Sequence, residues 1–274
     1  MGFFATSGIL NRKGFFGGGF DPDASAYFAT AGVTDQVAKG QINAFVVGVK
    51  ALGLYSNMVS WPLRSSQNAG TGTTAYSLGG LGTYNGTLTN GPTWGANGIV
   101  FNATNKLISV SSSLGNTIRS GFCCKLSPSN SFNQALIEFT SGLASGSYFI
   151  LRFNGQTGFG VAGPVLTLTR NLVNSSNGSD SRSINLTSFE CFSGSFGASN
   201  DRVCINGATA ISGNRTGLNT YNPTGTISVN RLYGNSTNMT GAFNAIFSVE
   251  ITESEHSSLY TLYKNTLGQG LGLP

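Results

Sequence analysis

The chain has 274 residues; 9% are charged, 11% are aromatic, 39 are glycine, and the formal net charge is +5. Few charges beside many rings exclude a disordered chain, and the composition is not the Ala/Glu/Lys/Leu mixture of a coiled coil. The 15 basic residues are scattered, with Arg12-Lys13 the one adjacent pair, so a clustered cationic face for nucleic acid is not expected, and no apolar run approaches the roughly 18–20 residues that span a bilayer.

What remains is an aromatic-cored, mainly β protein wetted by Ser, Thr, Asn and Gly. Residues 1–20 carry Phe3, Phe4, Phe15, Phe16 and Phe20 with Gly17, Gly18 and Gly19. So many rings in a segment without its own core would aggregate if left exposed. The segment therefore reads as an arm that buries its phenylalanines in a partner or neighbouring subunit; folding back on its own domain is the alternative.

Residues 21–62 read as a helical hairpin. Asp21 is an N-cap with Pro22 at the first helical position, and Gly32 ends that helix. Thr34 is placed to cap a second helix, whose Ile42, Phe45, Val46, Val49 and Leu52 follow helical spacing until Gly53. Such a hairpin is too small for its own core and must pack on something.

From residue 63 to the end the pattern is β, closed by one helix. Tyr148 to Phe153 and Val165 to Arg170 read as strands, and Val203 and Ile205 flank Cys204 ahead of an Asn206-Gly207 hairpin turn. Ile227, Val229 and Arg231 share a strand face. Phe243, Ala245, Phe247, Val249 and Ile251 form a long inward stripe. Thr252 and Glu255 then make a capping box for a helix with Leu259, Leu262 and Tyr263 on its apolar side and Gly268 as its C-cap.

Cys123, Cys124, Cys191 and Cys204 read as small buried thiols. Cys123 and Cys124 would point to opposite faces of a strand, and a Cys191–Cys204 link between neighbouring strands is the sharper alternative. No C-x-x-C spacing is present and His256 is the sole histidine, so no zinc site is expected. The N-terminus lacks a signal-peptide pattern, so the expectation is a chain made in a cytoplasm and kept reduced.

Four blocks together resemble a known family. They are Asp21 to Tyr27 with Ala31 to Asp35 and Leu52 to Tyr55; Tyr76 to Leu78 with Gly86 to Trp94 and Gly98 to Phe101; Asn200 to Gly207; and Glu250 to Glu253 running into Leu259 to Tyr263. Their order and spacing are similar to tailed-bacteriophage structural proteins with a concanavalin A-like (laminin-G-like) jelly-roll sandwich. The resemblance implies a virion component made in the host cytoplasm. Its partners would be other virion proteins (capsid, portal or tail), and its assembly state a homo-oligomer, with a trimer as the expectation. Its role would be host-surface attachment as a fibre, or capsid decoration. A glycan-binding module of a cellular protein is the alternative.

Catalysis is not expected from the residues. Among the ten acids only Glu253 and Glu255 have E-x-E spacing, and their place at a helix start suits the helix dipole better than the paired carboxylates of a glycosidase. His256, in the first turn of the same helix, reads as a surface or capping residue, and no nucleophile elbow accompanies it. No cofactor is expected; Asp180 and Asp201, read as loop residues, with Asn177 or Asn200 are oxygens that could contribute to a calcium site, but no D-x-D-x-D run supports one. Glycan contact would fall on aromatics in or beside turns, with Tyr84, Trp94, Tyr221 and Tyr233 the candidates.

Overall fold

The computed structural model describes the backbone of residues 19–101, 106–111, 118–126, 134–141, 148–154, 165–170, 178–180, 187–196, 200–214, 225–232 and 239–274. Side chains are described for 19–101, 118–126, 187–195, 202–208 and 239–274. Phe3, Phe4, Phe15, Phe16, Tyr221, Tyr233 and Asn177 lie outside the described residues.

Two helices open the fold, α1 (Pro22–Ala31) and α2 (Gln36–Ala51). The Asp21 side chain accepts from the Asp23 amide, Pro22 opens the first turn, and Gly32 closes the helix at φ 65°. Only glycine takes that left-handed C-cap without a Cβ penalty. α2 is capped by Asp35, whose carboxylate accepts from the Ala38 amide, one residue later than the expected Thr34. Both can cap, and Asp35 stands three residues before the amide that needs a partner. Lys50 at the end of α2 meets Asp21 at 2.7 Å and Asp23 at 2.6 Å, tying the two helices together.

Two antiparallel eight-stranded sheets follow. The first has the order β14 (Ala208–Asn214), β13 (Asn200–Ile205), β12 (Glu190–Phe196), β7 (Ser120–Leu126), β16 (Met239–Phe247), β5 (Gly98–Phe101) and β4 (Thr93–Gly95), with β1 (Met58–Pro62) also pairing β16. The second runs β11 (Gly178–Asp180), β10 (Val165–Arg170), β9 (Tyr148–Asn154), β8 (Gln134–Ser141), β15 (Gly225–Leu232), β6 (Lys106–Ser111), β3 (Gly86–Thr89) and β2 (Thr74–Ala75). This is the mainly β sandwich expected, with helices at both ends of the chain. Residues 58–62, at the end of the segment read as a helical hairpin, are a strand of the first sheet. Asp180 and Asp201 stand in β11 and β13 rather than in loops, and among the described residues no group of three metal-binding side chains converges.

The first sheet is covered on both faces. Val59, Trp61, Ile99, Phe101, Cys123, Phe192, Met239 and Ile246 pack with Ala75 and Leu88 of the second sheet. On the other face Phe122, Cys124, Cys191, Phe243, Ala245 and Phe247 pack under α1, α2 and the C-terminal helix α3 (Glu253–Asn265). Cys123 and Cys124 thus point to opposite faces. The stripe of Phe243, Ala245 and Phe247 faces the helical layer, while Met239 and Ile246 of the same strand face the other sheet. Val249 and Ile251 continue the helical core from beyond the strand's end.

The helical layer is closely packed. Phe243 meets Phe45 edge-on at 5.3 Å and Tyr263 at 4.9 Å between ring centroids. A Cβ on Gly48 would stand 2.4 Å from a Leu262 methyl, so α2 and α3 approach there because residue 48 has no side chain. Phe20, the last phenylalanine of the segment read as an arm, packs edge-on against Phe28 of α1 at 5.1 Å. Among the described residues no helix is long and apolar enough to cross a membrane.

Candidate functional site

Among the described residues, a concavity forms where α3 leaves the sandwich beside the β13–β14 hairpin. Asn206 and Gly207 take φ of 51° and 77°, the two positive values that an Asn-Gly hairpin turn requires. The turn is docked on β12, since Asn206 donates from its amide to the Cys191 carbonyl at 2.8 Å and accepts from the Cys191 amide through Oδ1 at 2.9 Å. A Cβ on Gly207 would lie 2.9 Å from the Tyr260 Cβ, so the hairpin tip rests directly on α3.

The segment leading into α3 is stitched to the sheet by two serines that pair across β7 and β12, Ser120 and Ser195. Ser120 Oγ donates to the Val249 carbonyl and accepts from the Ile251 amide, at 2.8 and 3.0 Å. Ser195 Oγ donates to the Ile251 carbonyl at 2.9 Å. The expected capping box then starts the helix, with Thr252 and Glu255 bonded reciprocally.

These elements leave an open cleft of about 720 Å³ lined by Arg202, Gly207, Ala208, Thr252, Glu253, Ser254 and Ser257. Arg202 is held by Glu250, with Nη1 2.8 Å from Oε1. The Glu253 carboxylate and the hydroxyls of Thr252, Ser254 and Ser257 stand on exposed residues. Chemically this is a surface of hydroxyls, one carboxylate and one anchored guanidinium, the groups that exchange hydrogen bonds with polyols. Glu253 and Glu255 occupy the helix start as read from the sequence. The convergence of these residues with Arg202 is not legible in the sequence; an Arg two residues before a hairpin cysteine and a serine-rich first turn reach one cleft only through pairing across the sheet.

His256 corrects the sequence reading. It is fully buried rather than at the surface, because it shares the inner face of α3 with Leu259, Tyr260 and Tyr263. Its Nε2 lies 3.2 Å from Ser195 Oγ. That hydroxyl already spends its proton on the Ile251 carbonyl, so Nε2 carries the hydrogen and Nδ1 is left as a buried acceptor without a protein partner. Burial, reinforced by the nearby Arg202 charge, pushes the imidazole down to about 4. The ring is walled off from the cleft and ties α3 to β12.

Two of the aromatic candidates sit elsewhere, at the rim of the inter-sheet core. Tyr84 and Trp94 are half-buried against that cluster. The Tyr84 carbonyl accepts from Trp61 Nε1 at 2.8 Å, and Trp94 on the edge strand β4 donates from Nε1 to the Gly72 carbonyl at 3.0 Å. Neither lines the cleft.

Deep in the first sheet, Lys125 of β7 and Glu190 of β12 are register partners. Both are buried, and burial lowers the Lys125 amine to about 7. The Lys125 ammonium also stands 5.7 Å from the Phe192 ring centre.

No protein-family model and no curated protein sequence matches the chain. Solved structures do match. Trypanosoma rangeli sialidase aligns at a TM-score of 0.57 and 10% identity, over 85% of this chain and 40% of that one. The same enzyme in complex with a 2,3-difluoro-KDN aligns at 0.55 and 13%, over 77% and 33%. A chain of botulinum neurotoxin type C, described as dependent on two ganglioside molecules for entering cells, aligns at 0.54 and 15%, over 77% and 52%. The chain thus spans between a third and about half of these proteins, and at such identities the likeness shows the fold. It also corrects the expectation of a non-enzyme: the sandwich aligns to chains of a hydrolytic enzyme, so scarce paired carboxylates no longer exclude catalysis.

Proposed function

We propose that the protein is a carbohydrate-binding component of a bacteriophage particle, with the cleft between α3 and the β13–β14 hairpin as its saccharide site. The observation that carries the glycan reading is the cleft itself: a concavity of about 720 Å³ lined by Arg202, Glu253 and three hydroxyl residues. The sandwich it belongs to aligns with a sialidase in complex with sialic acid and with a neurotoxin whose cell entry depends on interaction with two ganglioside molecules. The virion setting is supported by the sequence resemblance set out above, with attachment or capsid decoration as the role and the Phe-rich segment ahead of α1 as the anchor to other virion proteins in a homo-oligomer.

Charge narrows the ligand. Arg202 is already matched by Glu250, and Glu253 and Glu255 add two carboxylates at the same end. The hydroxyls of a neutral saccharide suit this cleft better than the carboxylate of an acidic one. A second location is favoured by one observation, the Trp94 indole N–H fixed to Gly72 while the residue stays half exposed. A fixed ring of this kind is a stacking face for a sugar.

A glycan array probed with the purified protein, with and without Arg202→Ala and Glu253→Ala, tests the reading. Each variant should weaken binding roughly tenfold, the cost of one charge-assisted hydrogen bond. Loss in Trp94→Ala with the cleft variants unaffected moves the site to the rim. Binding to no glycan removes the carbohydrate reading, and release of free sugar from an arrayed glycan identifies an enzyme. Peptide mass spectrometry of gradient-purified particles tests the virion setting; hundreds of copies indicate decoration, a few dozen a fibre, and absence a cellular glycan-binding protein.

A further inference from the structure

The four cysteines are distributed so that two of them form a pair. Cys124 of β7 and Cys191 of β12 stand directly opposite each other in the antiparallel register. Both are on the helical face of the sheet, fully buried beneath Tyr263. Directly opposed residues in an antiparallel pair have Cα atoms about 4.5–5.5 Å apart, inside the range of about 4.4–6.8 Å that a disulfide bridges.

The other two thiols are excluded by the same register. Cys123 faces the opposite side of the sheet, in the inter-sheet core. Cys204 is opposite Ser193 rather than Cys191, so it is a diagonal neighbour of Cys191, about 7 Å or more away. That removes the Cys191–Cys204 link entertained from the sequence. In the reduced chain all four thiols are free.

We propose that Cys124 and Cys191 are the site of a cross-strand disulfide, closed when the chain folds in an oxidising medium. The bond forms by thiol–disulfide exchange with a low-molecular-weight disulfide such as oxidised glutathione. One thiolate attacks it, releasing one glutathione thiol and leaving a mixed disulfide; the second thiolate displaces the other glutathione. Two protein thiols become one disulfide, and their two protons end on the two glutathione thiols formed from one glutathione disulfide. Burial raises the Cys191 thiol far above its ordinary range and leaves little thiolate in the folded state. The exchange therefore takes place while β7 and β12 are pairing, before α3 covers them. Once closed, the link fixes the two strands that carry Ser120 and Ser195 beneath α3.

Full-length protein unfolded in guanidinium chloride and refolded in a glutathione redox buffer, then alkylated and digested without reduction, gives the test. Fragmentation of the linked peptide should place the bond on Cys124 and Cys191, with a mass about 2 Da below the sum of the parts, and with Cys123 and Cys204 alkylated. Cys123→Ser should keep the link and Cys124→Ser should abolish it. If Cys124→Ser does not fold, the wild-type map and Cys123→Ser still decide. A bond from Cys191 to Cys204, or four alkylated cysteines after refolding, overturns the proposal.

Discussion

Lowering the pH should loosen the attachment of α3, through one residue. His256 is the sole histidine of the chain and is fully buried, with Nε2 on Ser195 and Nδ1 unpartnered. Its ordinary value of 6.5 falls to about 4 in the fold, by desolvation first and the Arg202 charge second, with Glu255 opposing. Above pH 6.5 the ring is neutral whether the chain is folded or not, and it adds no pH dependence. As pH drops from 6.5 towards 4 the unfolded chain takes up a proton that the folded one refuses, so stability falls through that window and levels off below it. The interval corresponds to about 3 kcal/mol at about 1.4 kcal/mol per unit. Because there is one histidine, a single imidazole resonance followed by NMR reports its titration directly. Urea unfolding at pH 7 and pH 4.5, in wild type and His256→Gln, isolates the energy, since carboxylates such as Glu253 titrate in both proteins. A midpoint near 6.5, or equal acid losses in the two proteins, would refute the reasoning.

Three further outcomes follow from packing and capping. Asp21→Ala removes an N-cap and the Lys50 partner together; chemical denaturation should show a loss of about 1 kcal/mol, mostly from the cap because the ion pair is exposed. Gly98→Ala should cost more than about 2 kcal/mol, since φ is +139° and the new Cβ would stand 2.2 Å from the Gly241 carbonyl oxygen; thermal unfolding measures it. In Lys125→Met a pH effect should vanish. The wild-type amine sits near 7 against 10.5 unfolded, so between those values the unfolded chain binds the extra proton and folding gains stability as pH rises. Denaturation curves at pH 7 and 9.5 should diverge between the two proteins; parallel curves would show that the amine is not held near 7.

Local chemistry was readable where one or two residues decide the outcome. Asp21 and Pro22 start α1, Gly32 ends it, Thr252 and Glu255 box the start of α3, and Asn206-Gly207 makes the hairpin, each because backbone amides or a positive φ need that residue type. The opposite facing of Cys123 and Cys124 followed from strand geometry alone. The mainly β class came from composition and alternation together.

Other features were settled only when distant segments met. Alternation assumes one wet face, so Phe243, Ala245 and Phe247 read as the inside of a sandwich; in the fold α2 and α3 cover the outer face of β16, and both faces are buried. His256 looked like a surface residue because its partner, Ser195, is 61 positions away. Lys125 is buried opposite Glu190 across β7 and β12, a pairing of residues 65 positions apart that only the sheet brings together. The cleft joins Arg202 to Glu253 across a strand pairing and a helix start. Caps and turns depend on neighbours a few bonds away, and a chain carries them wherever it folds. Burial, pKa and a binding cleft depend on which surfaces are covered, and strand order together with the helical layer decides that.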